Sequence, residues 1–426
     1  MKSYDDAVKT ILEHVGPMEA EEKLLLKCIG QATSEDIHAA IDLPAADISG
    51  PDGYALRSAD LKGADRDNPA VLRVIGTVRA GHVPRTSVRA GCAVRIMTGS
   101  VIPQGADCVV RFEDTDEPGD KNGPNRANPK EVRVYVAAAA GANIRPAGGT
   151  VRKGALVVPK GTVIGPTQVS ALASIGKTQI RVIRRPVIAV IATGDELVNP
   201  GRPLPPAKVY NCNSAAIAAI VVHYGGEPVV LGVARDNESE LSAKVRKGLT
   251  ADAIITSGGV SKGDYDLVRL VVGEMGRVIF SRVKMAPGAA VAFGLIETSP
   301  ADSGNRSVPV FALSGPPTGC LVNLETLVRP ALLKMRGLVS TEHPAVDAVS
   351  LNEVSRKLSM SVAKWTHLTQ VEGEYRVTLN RAEKDGMLSS MATANSLTII
   401  PEGSTIKEGD RIAVLPLEWR GNQLLP

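Results

Sequence analysis

Two apolar runs constrain this 426-residue chain more than any other feature. The first, Pro186-Val-Ile-Ala-Val-Ile-Ala192, stops at Thr193-Gly194-Asp195-Glu196. The second, Ala253-Ile-Ile-Thr256, stops at Ser257-Gly258-Gly259 and runs on to Ser261-Lys262-Gly263-Asp264-Tyr265-Asp266. Uninterrupted apolar runs rich in β-branched residues predict strands buried on both faces, as in a parallel sheet. A helical pattern lies between them. Both runs end in small residues followed by carboxylates. In open α/β sheets the ligand crevice lies beyond the carboxyl ends of the strands. The pattern therefore predicts a site where the two turns meet, with glycines for close ligand approach and acids for a metal.

The same alternation continues downstream. Strands are predicted at Glu227–Val233, Val278–Val283, Val291–Leu295 and Val308–Leu313, and helices at Ser214–Tyr224, Glu238–Gly248, Tyr265–Met275 and Thr318–Met335, with Asn213 and Asn237 as N-caps. Alternating βα units mean a parallel sheet with helices on both faces. Upstream, Ser3 and Asp6 form a capping box before an apolar face of Val8, Ile11, Leu12 and Val15. A second short helix is predicted at Glu22–Cys28. This helical piece is too small to stand alone and must pack on another copy or on a later segment. Short β runs punctuated by Gly and Pro follow. Asp114–Lys130, all charge and turn residues, reads as a solvated hairpin tip or loop. The fold class is multidomain α/β plus β. Its parts are a helical/β piece made of 1–45 and 142–183, an inserted β-rich domain at 46–141, a central parallel-sheet α/β domain at 184–338, and a C-terminal all-β, barrel-like domain at 345–426.

Composition narrows the function classes. Lys+Arg 49 against Asp+Glu 45 gives a net charge of +4, which argues neither for nor against an anionic ligand. Aromatic residues are only 3% and no basic run interleaves with them, against a base-stacking nucleic-acid binder. Cys28, Cys92, Cys108, Cys212 and Cys320 are odd in number and form no CxxC, as expected of reduced thiols in a cytoplasm. A polar, amphipathic start argues against a signal peptide, and no apolar stretch approaches the ~18 residues of a membrane span. The six histidines are dispersed without metal-ligand spacing and read as structural or surface residues.

Paired glycines after a buried strand let a phosphate or ring approach the backbone closely. Asp264 and Asp266 beside that loop suit Mg²⁺, which takes one or two carboxylates with waters and phosphate oxygens. Asp236 sits at the end of the preceding strand, Val229–Val233. It either points at the same crevice or helps cap a helix beside Asn237. Thr193-Gly194-Asp195-Glu196 taken alone is a weak signal, since a strand end followed by Gly and two acids is commonly just a turn.

Ordered motifs then identify a family. Asp52-Gly53-Tyr54-Ala55, Arg95-Ile96-Met97-Thr98-Gly99, Gly105-Ala106-Asp107 and Glu113-Asp114-Thr115 precede Asn143-Ile144-Arg145. Thr193-Gly194-Asp195-Glu196-Leu197, Thr256-Ser257-Gly258-Gly259-Val260-Ser261, Pro287-Gly288, Ala292-Phe293-Gly294 and Gly386-Met387-Leu388-Ser389-Ser390-Met391 follow. Nearly the whole chain resembles the molybdopterin molybdenumtransferases, bacterial relatives of the gephyrin E domain. The resemblance implies a cytoplasmic homodimer of four-domain protomers, the N-terminal piece serving dimerisation and the α/β domain binding molybdopterin. It implies Mg²⁺-dependent removal of AMP from adenylylated molybdopterin and insertion of molybdate. It also implies protein partners, namely the upstream adenylyltransferase and client molybdoenzymes, with no nucleic acid and no membrane.

Carried over residue by residue, the resemblance makes Asp236 and Asp266 the Mg²⁺ ligands, with Asp266 also catalytic. Glu196 is catalytic, as are Asp52 and Thr98, contributed by the partner protomer. Asp195, Ser257, Gly258, Gly259, Ser261, Lys262, Lys284, Pro317, Ser389 and Ser390 bind substrate. Several family positions differ. Gly50 and Pro51 replace Ala-Met, and Asn211-Cys212 replaces Asp-Ser. Gly148-Gly149-Thr150 replaces Gly-Glu-Asp, and Ser314-Gly315-Pro316-Pro317 replaces Pro-Gly-Asn-Pro. Ala286 and Ala289 stand where the family has lysines, and Lys364–Thr369 keeps at most one of two expected cations. Each lost charge-assisted hydrogen bond to an anion is worth ~1.5–3 kcal/mol. Lys262 and Lys284 are the nearby replacements. The alternative function is a catalytically impaired paralogue that binds or chaperones molybdopterin or its loaded cofactor.

Overall fold

The computed structural model describes residues 1–117, 129–259, 267–298, 306–354, 359–379 and 387–418. The chain forms two compact units. One comprises residues 1–35, 160–166 and 179–426, and the other 36–159 and 167–178.

The larger unit is built on a six-stranded sheet. Its order is Glu227–Ala234, Val187–Thr193, Ala253–Ser257, Ser307–Leu313, Ala292–Glu297, Arg277–Phe280. The first four strands are parallel, and Ala292–Glu297 runs antiparallel to both of its neighbours. The parallel part needs helical crossovers. The antiparallel strand needs none and follows its predecessor without an intervening helix.

The apolar run of the first strand serves two cores at once. Ile188 and Val190 face one cluster with Ile217, Ile220 and Val221 of helix Cys212–His223, while Ala189 and Ile191 face another with Leu241, Val245, Val268 and Val271. Neighbouring strands repeat this alternation, Ile255 and Leu313 on one side and Ile254 and Ala312 on the other. This is the period-2 geometry of a strand covered on both faces.

Helix Tyr4–Glu13 is capped by Ser3, whose Oγ accepts from the Asp6 amide at 3.1 Å. It buries Ala7 and Ile11 in the first of these cores, and Lys334 Nζ donates to the Leu12 carbonyl at 2.6 Å. Of the two packings open to it, the helix thus makes one within its own chain, on a later segment. The helix expected at Glu22–Cys28 is instead strand Ala20–Leu24 followed by a 3-10 turn at Leu25–Lys27. Pairing with Gln179–Ile183 overrides the local helical preference there. In the predicted C-terminal helix, Pro317–Asn323 and Arg329–Met335 are joined by a π turn at Leu324–Val328.

Strands Val346–Ser350, Ser361–Val371, Glu374–Thr378, Ser396–Ile400 and Arg411–Pro416 close into a five-stranded barrel. Closure removes exposed sheet edges. In the smaller unit, a five-stranded sheet runs Cys108–Arg111, Gly53–Leu56, Cys92–Ile96, Ala70–Val78, Glu131–Val134. Glu117 is not solvated as the charge-rich segment suggested. It is buried, accepts from Tyr54 and pairs with Arg95. The rest of that segment, 118–128, lies outside the described residues.

Candidate functional site

From strand Val187–Thr193 the chain passes to a neighbour on one side, Glu227–Ala234. It then crosses to the other side, Ala253–Ser257. The carboxyl ends of Val187–Thr193 and Ala253–Ser257 therefore flank a topological switch point, where turns diverge and leave a crevice. Two clefts open there. One, of about 530 Å³, is lined by Thr193, Gly194, Glu196, Asp236, Gly258 and Gly259 from three strand ends, and by Gly288, Ala289, Ser314 and Gly315 opposite. The other, of about 670 Å³, is lined by Leu197, Leu204, Tyr210, Asn213, Ser257 and Pro317. Thr193, Glu196, Gly258, Gly315 and Pro316 belong to both.

Local packing explains the glycines. Gly258 has φ +92°, and a Cβ there would lie 2.4 Å from the Thr193 carbonyl oxygen. A Cβ on Gly259, at φ +69°, would meet Thr193 Oγ1 and Val268 Cγ2 at 2.8 Å. No L side chain fits either position. The turn therefore stays bare, and a ligand can reach the backbone.

Asp195 and Asp236 are fixed by each other's main chains. The Asp195 amide donates to Asp236 Oδ2 at 3.2 Å, and the Asp236 amide donates to Asp195 Oδ1 at 3.3 Å. Lys208 Nζ and Arg235 Nη1 both donate to the Asp195 carbonyl, at 2.7 and 3.0 Å. The helix after Asp236 is capped by Asn237, which accepts from the Glu240 amide at 2.8 Å. Asp236 is not needed as a cap and lines the cleft.

Asn213 was expected to cap its helix. Asn211 is the cap, accepting from the Ser214 amide at 3.2 Å. Asn213 sits in the first turn instead. Its Nδ2 donates to Ser257 Oγ at 2.5 Å and to the Gly315 carbonyl at 2.8 Å. It ties together two turns of the crevice from sequence positions far apart. The only sequence signal was a second Asn two residues beyond the first. Beneath Ser257, burial pushes the Cys320 thiol up to about 12, so it stays a neutral thiol. Thr193 Oγ1 and Asn323 Oδ1 are buried near the crevice without a partner among the described residues.

The structure brings together Asp195, Glu196, Asp236, Ser257, Gly258, Gly259 and Pro317 around the two clefts. It does not bring Lys284, which lines neither cleft and lies 3.7 Å from Glu402. Ser389 and Ser390 lie on helix Met387–Thr393 of the barrel region and line neither cleft. Asp52 and Thr98 belong to the smaller unit. There Asp52 Oδ1 accepts from the amide and the hydroxyl of Thr98 at 2.6 and 2.8 Å. Ser261, Lys262, Asp264 and Asp266 lie outside the described residues. Among the described residues no three His, Cys, Asp or Glu side chains are grouped to hold a metal ion. Among the described residues, none that lines either cleft is Lys, Arg or His. Among the described residues no helix is long and apolar enough to cross a membrane.

The fold and crevice define an α/β ligand-binding domain carrying a C-terminal β-barrel and a separate β-rich unit. Three family models match the same regions. The MoeA N-terminal region (domain I and II) matches residues 2–176, the probable molybdopterin binding domain 189–334, and the MoeA C-terminal region (domain IV) 363–417. A molybdopterin molybdenumtransferase of Nostoc sp. is 30% identical over 98% of this chain and 94% of its own. One of Bacillus subtilis is 32% identical over 96% and 92%. The crystal structure of a molybdopterin biosynthesis MoeA protein from Pyrococcus horikoshii superposes with a TM-score of 0.83 at 30% identity, covering 97% of this chain and 98% of that one. The chain belongs to the molybdopterin molybdenumtransferase family.

Proposed function

We propose that this chain takes adenylylated molybdopterin, releases AMP and inserts molybdate into the pterin dithiolene. The observation that carries this reading is the shared cleft in which Glu196 and Asp236 face the bare Gly258–Gly259 turn. A phosphate-bearing ligand can approach that turn without meeting a Cβ, while the carboxylates sit beside it.

The donors fit Mg²⁺ in kind. Asp236 and Glu196 offer hard carboxylate oxygens, the described lining of the cleft they share contains no thiol or imidazole, and Mg²⁺ needs only one or two carboxylates alongside water and phosphate oxygens. Asp236 and Asp266 would hold the ion, which supplies charge neutralisation at the phosphate oxygens. The chain's own residues do the positioning. Asp195 anchors Asp236 through reciprocal amide bonds, and Asn213 fixes the Ser257 and Gly315 turns. Asp52 and Thr98 act from the second protomer of a homodimer, and the five free thiols suit a cytoplasmic protein.

One observation favours the alternative, a pterin-binding paralogue with impaired insertion. The described cleft linings lack any cation, and Ala289 lines the position of a family lysine. One assay separates the two. Purified protein is given adenylylated molybdopterin, Mg²⁺ and molybdate, and AMP release and active cofactor are measured. AMP and cofactor formation are expected, and Asp266→Asn should abolish both. Tight pterin binding with no AMP above background would establish the paralogue instead. The partner-protomer role predicts complementation. Asp52→Asn and Asp236→Asn should each be inactive, and a randomly reassociated equimolar mixture of the two, half of it mixed dimers with one intact site of two, should recover up to about a quarter of wild-type turnover. Absence of recovery in dimers verified by light scattering would sink that role.

A further inference from the structure

Far from the crevice, at the amino ends of the central strands, two arginines converge on one turn. Arg185 lies two residues before strand Val187–Thr193, and Arg336 follows helix Arg329–Met335. Arg185 Nη2 donates to the Ile29 carbonyl at 3.1 Å, and Arg336 Nη2 donates to the next carbonyl, Gly30, at 2.6 Å. A glycine makes room for Arg336: a Cβ on Gly225, at φ +76°, would lie 2.7 Å from its guanidinium carbon.

The pair is short of negative charge. Neither guanidinium is within 4 Å of a carboxylate among the described residues, unlike Arg184 next door, which holds Glu19 and Asp252. Glu418 bears on Arg336 only at longer range and is itself bonded to Arg329. Burial first, then the Arg185 charge, holds the Arg336 guanidinium below its ordinary value. Each guanidinium carries five N–H donors. Only one nitrogen of each is spent on a carbonyl, and none of the others is among the buried atoms that lack a partner. The uncommitted donors therefore reach accessible surface. Two half-buried forks fixed side by side and lacking a counter-charge suit a doubly charged tetrahedral oxyanion, whose oxygens accept from both.

We propose that Arg185 and Arg336 form an oxyanion-binding site at the amino-terminal edge of the α/β sheet, separate from the substrate crevice. The strand between them and the crevice is about 20 Å long, so the site is an effector or anchoring site rather than part of the reaction centre. It takes phosphate or a chemically similar dianion.

The test uses the full chain, with inorganic phosphate as probe and sodium chloride at matched ionic strength as control. Calorimetric titration and thermal melting are expected to give saturable binding and a Tm that climbs with the logarithm of phosphate concentration. Sulfate and molybdate should compete. Arg185→Met and Arg336→Met should each weaken binding at least tenfold, judged from the phosphate-dependent increment within each variant so that a general loss of stability does not count. If a Met variant fails to fold, Arg185→Lys and Arg336→Lys replace it. They keep the charge but lose the fork, and should weaken binding several-fold. No phosphate effect beyond chloride overturns the proposal, and so does binding of unchanged strength in both variants. The latter result would place the anion in the crevice.

Discussion

At the scale of single residues, the crevice depends on positions that tolerate one residue type. Gly258 is the sharpest. Its φ of +92° disfavours any side chain, and the Thr193 carbonyl occupies the place of a Cβ. Gly258→Ala should cost ~1–3 kcal/mol of stability, read as a lower urea midpoint, and should lose turnover beyond what the stability loss explains. An alanine variant with unchanged midpoint and turnover would show that the turn is not held as described. The doubled glycine was visible in the sequence, because glycine after an apolar strand is a local signal. Asn213 was legible only as a cap. Its real partners, Ser257 and Gly315, are 44 and 102 residues away, and no local pattern encodes them.

At the scale of elements, the π turn Leu324–Val328 carries a buried charge cluster that the helical pattern did not announce. Glu325 Oε1 accepts from Tyr224 Oη at 2.5 Å and lies 3.0 Å from His343 Nε2 and 3.9 Å from Arg329 Nε. Its other oxygen has no partner among the described residues. Removing Glu325 takes a buried acceptor from Tyr224 and His343 and leaves the buried Arg329 with Glu418 alone as its counter-charge. Glu325→Ala should therefore cost ~3–5 kcal/mol, measured by chemical denaturation. Glu325→Gln keeps an acceptor for Tyr224 and should cost less. Equal losses in the two variants would show that the carboxylate's hydrogen bonds contribute nothing. The sequence pattern caught the helix but not the inserted turn, because π turns leave the apolar period almost unchanged. The same limit explains the error at Glu22–Cys28. There a helical pattern lost to long-range strand pairing with Gln179–Ile183.

At the scale of the whole molecule, buried acids set the response to alkali. Burial pushes the Cys108 and Cys320 thiols up to about 12 from 9.0, and Tyr4 up to about 12 from 10.0. The folded state holds these protons more tightly than the unfolded chain does. Their stabilising effect is complete below about pH 9 and is lost as pH rises toward 12. The Tm should be insensitive to these groups from pH 7 to 8.5 and fall from about pH 9 upward. A Tm that rises across that upper window would contradict the burial of these groups. The sequence by itself determined the kind of molecule. Apolar period, strand-end glycines and ordered motifs are local and survive at 30% identity, so the α/β core, the barrel-like end and the family were legible. Only the tertiary structure decided which acids share one cleft, that Asn211 rather than Asn213 caps the helix, and that the described linings hold no cation. Those facts depend on how crossovers bring distant strand ends together. The bare Gly258–Gly259 turn could be read one residue at a time, but the cleft around it is made by segments that meet only when the sheet is assembled.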